Sequence, residues 1–124
     1  MIPGDAFYFD GDIHLWIVLS NPDPNGNVVI VSVTTNAPYK DSTCELNVGD
    51  HPKIRHSSLV YYRKAELASK AKLSAEVQAG KINIVQRFSD AVMSRIYDGA
   101  GLTRFMPQDC QAILDDQGLI NLSP

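Results

Sequence analysis

Two continuous apolar runs, HLWIVLS at 14–20 and NVVIVSVTT at 27–35, stand on either side of the turn-rich NPDPNGN. Their β-branched and aliphatic side chains suit extended backbone, and an apolar run without polar alternation belongs to a strand covered on both faces. Asn25-Gly26 is a hairpin signal, because both residue types tolerate the positive φ of tight turns. A chain that begins this way commits itself to an antiparallel sheet with material packed above and below it.

More strands follow from the same reasoning. AFYF at 6–9 precedes the DGD turn at 10–12, and STCEL at 42–46 precedes NVGDHP. SSLVYYRKAELAS at 57–69 starts as a strand and could break near Arg63 into another. Five or more short strands with frequent turns describe a small barrel or sandwich. The remainder changes period. KAKLSAEVQAGKINIVQRF begins at Lys70 and is helical over 72–79, then extended through INIVQRF. Ser89 is an N-cap for a helix whose Val92, Met93 and Ile96 recur on one face, with Gly99 as its stop. Pro107 opens a second short helix and Gly118 lies just past its end. The expected fold is mainly β with C-terminal helices, one domain over 1–124: a β-barrel core over 1–70, then a remaining strand and helices over 71–124.

A chain of 124 residues with 44% apolar side chains can fill such a core without metals or disulfides. Cys44 and Cys110 form no C-x-x-C and are expected as buried, reduced thiols. No histidine or cysteine spacing suits a metal, no phosphate loop or nucleophile elbow is present, and no cofactor is expected. The first ten residues lack the basic and apolar regions of a signal peptide, and LWIVL is far too short to span a bilayer, so a cytoplasmic location without membrane association is expected.

Charge is unevenly placed. Residues 1–50 hold seven acids and a single base, Lys40, whereas residues 51–124 hold ten bases and seven acids. Within 51–64 stand Lys53, Arg55, Arg63, Lys64 and two histidines, with no acid. A local basic patch suits a short phosphate-bearing ligand or an acidic protein, or simply keeps a strand edge soluble.

The succession of pieces resembles the PemK/MazF toxins, small SH3-like β-barrels that cleave RNA. PGDAFYFD is similar to their opening Gly-Asp strand, HLWIVLS to the second strand closed by Ser, and VVIVSVTT to the third, which finishes in hydroxyl residues. HSSLVYYRKAELAS is similar to the later serine-led strand that crosses the binding groove, and helices follow in both. The similarity covers roughly residues 3–70 in order and the rest in outline. The family's catalytic Arg, followed by Pro, has no counterpart here: its place reads GDIHLW, with His14 nearby. What the resemblance implies is a toxin-like, metal-independent endoribonuclease acting on single-stranded RNA. It also implies a homodimer, neutralised by an antitoxin protein whose acidic flexible tail fills the basic groove. With the Arg missing, the alternative is a non-catalytic SH3-like binding protein, or a toxin that acts by protein–protein contact.

RNA cleavage without a metal needs a base for the 2′-hydroxyl, a proton donor for the leaving 5′-oxygen, and cations for the developing charge on phosphorus. Imidazole suits the first two because its unperturbed pKa is about 6.5, and Arg suits the third because its planar fork matches phosphate oxygens. His51, stiffened by Pro52, or His14 is the expected acid/base, although a histidine at such a turn is more often a surface residue that caps backbone groups. Lys53 and Arg55 are expected phosphate clamps, with His56 and Ser57 beside them on the substrate. Thr34 and Thr35 stand for the family's hydroxyl residue. Tyr61 or Tyr62 could stack on a base, while Trp16 is read as core.

Overall fold

The computed structural model describes residues 1–122. Its elements in chain order are β1 (Ala6–Phe9), β2 (Trp16–Val18), β3 (Asn27–Thr35), β4 (Glu45–Leu46), β5 (Ser58–Ser69), α1 (Lys70–Gln78), β6 (Ile82–Val85), α2 (Asp90–Leu102) and α3 (Gln108–Asp116). The strands make one curled, antiparallel six-stranded sheet, half a barrel, in the order β4-β5-β3-β2-β1-β6. The described residues are thus mainly β with three helices. No helix among the described residues is long and apolar enough to cross a membrane.

The 21–27 turn closes on itself. Asp23 N–H donates to the Asn27 carbonyl at 2.8 Å, and the Asp23 carboxylate accepts from the N–H groups of Asn25 and Asn27, each at 2.9 Å. The loop between is Pro24-Asn25-Gly26, with Gly26 at φ 80°, the left-handed position a three-residue hairpin loop reserves for glycine. β2 is shorter than its apolar run, because His14 and Leu15 lie in the approach to the strand.

β5 does not break at Arg63. It runs unbroken for 12 residues, but its register against β3 jumps from Ser32↔Tyr61 to Ile30↔Glu66. Three extra β5 residues are therefore absorbed opposite Val31, and this bulge bends the strand so that one sheet curls around two cores. On one face Ile17, Val29, Val31, Val33 and Val60 pack with Val92, Met93 and Ile96 of α2 and Cys110 and Leu114 of α3. On the other, Phe7, Val18, Val28 and Ile30 pack with Leu73 of α1 and Ile82 of β6. Burial on both faces is what the unalternating runs required.

Ser89, Pro107 and Gly118 take the places expected of them, while α1 starts at Lys70, before the expected 72, with Ser69 as its cap. Ser69 Oγ accepts from Lys72 N–H at 3.2 Å and Ser89 Oγ from Val92 N–H at 3.3 Å. Pro107 caps α3 and Gly118 follows it at φ 71°. Gly99 is a correction. It is no stop but an interior residue of α2, which continues to Leu102. It sits where buried Tyr62 donates its hydroxyl to the Ile96 carbonyl at 2.6 Å, and the helix needs a residue without a side chain there. Cys44 and Cys110 are both buried, with no disulfide between them, and burial raises both thiols above the ordinary range, Cys110 to about 12.

Candidate functional site

Where β3 ends, the 51–57 segment and the approach to β2 rise on either side of a cleft of about 380 Å³. Tyr8, Leu15, Val33 and Ile54 form its apolar floor, and His14, Thr34, Thr35, Lys40, Lys53, Arg55 and His56 line its walls. The cleft thus gathers three cations and two histidines and no carboxylate. Among the described residues the salt bridges lie elsewhere, joining Asp5 to Arg87 and the N-terminus and Asp50 to Arg95. Among the described residues none of Lys40, Lys53 and Arg55, which face the cleft, is in a salt bridge, and such a cluster draws anionic ligands toward it.

Two of these groups are braced. Lys40 Nζ donates to Thr34 Oγ1 at 2.7 Å and to the Thr35 carbonyl at 3.0 Å. Its ammonium also lies 5.9 Å from the ring centroids of both Tyr39 and Tyr61. His56 Nε2 lies 3.0 Å from Thr35 Oγ1. A hydroxyl donates to neutral imidazole and accepts from imidazolium, so this partner holds the ring through either protonation state. His14 is exposed, but its backbone is fixed: Asp12 Oδ1 accepts its N–H at 3.0 Å while Oδ2 accepts Trp16 Nε1–H at 3.3 Å. The N–H of His14 is the chief cause holding the Asp12 carboxyl below the usual carboxylate range.

The segment DHPKIRH is divided between two places. Lys53, Arg55 and His56 face the cleft, whereas Asp50 and His51 face a separate cavity of about 580 Å³ beside the start of α2. Asp50 accepts from Asn47 N–H at 2.7 Å and pairs with Arg95 at 2.9 Å. His51 is buried, stacked on Phe88 with ring centroids 4.4 Å apart. Its Nδ1 accepts from Lys53 N–H at 3.0 Å, which leaves Nε2–H to donate to the Gln86 carbonyl at 2.6 Å. Unlike the hydroxyl on His56, an amide N–H and a carbonyl each play a single role, so together they fix one neutral tautomer.

His51→Ala is accordingly expected to destabilise the protein by about 2–4 kcal/mol, through a cavity and an unpaired backbone carbonyl. Urea unfolding reads this directly. An unchanged midpoint would refute the anchoring role.

Other expected site residues are scattered. Ser57 turns away toward β4, donating to Glu45 Oε1 at 2.9 Å and accepting from Asn36 Nδ2 at 3.0 Å; Ser58 lines the cleft in its place. Tyr61 stands in an adjoining pocket, and Tyr62 is buried core. Trp16 is half-buried, its ring edge-on to Phe9 at 5.8 Å. Searched against protein-family models, curated proteins and solved structures, the chain matches none. Among the described residues, no group of three or more His, Cys, Asp or Glu side chains could hold a metal ion. Lys40 and Tyr8 are cleft residues that motif reading passes over. For Lys40 a signal exists: it is the lone base of the first fifty residues, and it follows closely on the two threonines that close β3.

Proposed function

We propose that this protein is a metal-independent endoribonuclease of PemK/MazF type acting on single-stranded RNA. The observation that supports this reading is one cleft holding His14, His56 and three cations that are in no salt bridge among the described residues, with threonine hydroxyls bracing both Lys40 and His56. His14 takes the proton of a ribose 2′-hydroxyl as the 2′-oxygen attacks the adjacent phosphorus. The bond from phosphorus to the 5′-oxygen breaks, and His56 gives its proton to that oxygen. Lys40 and Arg55 stabilise the charge that builds on the phosphoryl oxygens, and Lys53 takes a neighbouring phosphate. The products are a 2′,3′-cyclic phosphate and a 5′-hydroxyl. His51 serves the fold in this reading, and the family resemblance adds a homodimer and an antitoxin whose acidic tail occupies the same cleft.

A second reading is binding without chemistry. Ile13, which lines the cleft, and Tyr39, next to Lys40, are 87% and 86% exposed, and large apolar side chains so placed suit a protein partner. One experiment separates the two. Purified protein is incubated in EDTA with mixed-sequence single-stranded RNA and with the same sequence as 2′-deoxyribose. Fragments ending in cyclic phosphate from RNA alone are the expected result. Intact RNA at concentrations where the protein is folded and binds the strand favours the second reading.

A further inference from the structure

Beside the cleft, on the face of the sheet that carries Phe7 and Ile30, lies a second pocket of about 320 Å³ lined by His14, Trp16, Ser32, Tyr61, Lys64 and Glu66. Its floor is set by register. Trp16 pairs with Ser32 across β2 and β3, and Ser32 pairs with Tyr61 across β3 and β5. An aromatic, a serine and an aromatic thus stand in one row. With adjacent strands about 4.8 Å apart, the two ring-bearing strands are separated by about 10 Å, and the small Ser32 between them leaves a slot for a flat, stackable group. Lys64 and Glu66 line the slot as a donor and an acceptor, and among the described residues neither is in an ion pair or a side-chain hydrogen bond.

His14 lines both this slot and the cleft. The Lys40 ammonium lies 5.9 Å from the Tyr61 ring, so the phosphate-facing cation and the slot are neighbours. A nucleotide with its phosphate at Lys40 and its base over Ser32 would pass His14, which borders both. We propose that this slot is a guanine-recognition subsite in which Glu66 accepts from guanine N1–H and N2–H, Lys64 donates to O6, and the base stacks against Trp16 and Tyr61. Guanine alone among the four bases offers two adjacent donors beside an acceptor on its Watson–Crick edge, the pattern that a carboxylate next to an ammonium completes. Adenine offers a single donor next to a bare ring nitrogen, cytosine likewise, and uracil a single ring N–H. The proposal rests on the reading of the adjoining cleft as the phosphate site.

Trp16 is the only tryptophan, so its fluorescence reports on the slot without any need for turnover. The test titrates the four nucleoside 3′-monophosphates into wild-type protein and into Glu66→Gln, whose fold is checked by circular dichroism. Guanosine monophosphate is expected to quench Trp16 and to bind about tenfold or more tighter than the other three, as one bidentate base contact provides. In Glu66→Gln that preference should fall to near unity while phosphate-driven affinity persists. Equal binding of all four nucleotides, no quenching by any, or a guanine preference that survives in Glu66→Gln would each overturn the subsite. Because the readout is binding, it is independent of the RNA cleavage assay, and either can fail alone.

Discussion

Gly99→Ala is expected to cost about 3–5 kcal/mol of stability, a large share of the roughly 5–15 kcal/mol that holds a domain folded. A methyl group built on Gly99 overlaps the Tyr62 hydroxyl and stands 3.0 Å from Cys44 Cβ. Tyr62 is fully buried and donates its hydroxyl to the Ile96 carbonyl at 2.6 Å, so its ring has no open space to move into. Relief requires either lifting α2 from the sheet or breaking that hydrogen bond in a dry interior. Gly101→Ala in the same helix is the control, because the nearest atom to a methyl there is Ile120 Cβ at 3.8 Å. It should be neutral or stabilising by up to about 1 kcal/mol, since alanine is the better helix former. Tyr62→Phe should cost only about 1 kcal/mol alone, as Ile96 keeps its helical partner. Combined with Gly99→Ala it should recover much of the loss, since the overlapping atom is gone and the ring carbon behind it lies 3.1 Å away. Urea unfolding of the four proteins measures the coupling. Equal stability of Gly99→Ala and Gly101→Ala would mean that α2 does not sit against Tyr62 as described.

The same region shows why some of the fold was legible in the sequence. Ser89, Pro107 and Gly118 act on backbone within a few residues, so their roles as caps and stops could be read locally. The runs over 14–20 and 27–35 could be read because burial on both faces selects apolar side chains throughout. Gly99 was misread because a helix-ending glycine and a glycine under a tyrosine look alike until Tyr62 is brought across the core. Strand β5 was legible as a strand with an irregularity near Arg63, but whether the chain breaks or bulges there depends on its pairing with β3.

In the candidate site the residue types were informative and their directions were not. His51 and His56 bracket a segment of alternating character, yet Pro52 and the Lys53 N–H turn one ring into the core beside Phe88 while the other meets Thr35. Ser57 and Ser58 are adjacent and point to opposite sides of the strand, so a one-residue difference sends one to Glu45 and the other to the cleft. Lys40 reaches the site only because the 36–43 loop folds back over the end of β3.

If the cleft cleaves RNA as proposed, His14→Ala and His56→Ala should each lower the cleavage rate by about 10²- to 10⁴-fold, the range for losing one positioned acid or base. Neither residue is buried, so stability should hold, in contrast to His51→Ala, whose rate per folded molecule should stay near wild type. The double variant should lose less than the product of the single losses, because an acid and a base acting in one step are not independent. The two roles separate by leaving group. A substrate with sulfur in place of the bridging 5′-oxygen expels a thiolate that needs no proton. It should restore most of the rate to His56→Ala and little to His14→Ala, which still lacks a base for the 2′-hydroxyl. The reverse pattern would exchange the two assignments while keeping the site. Full activity in both single variants would remove histidine chemistry from the cleft and leave Lys40, Lys53 and Arg55 as a docking surface.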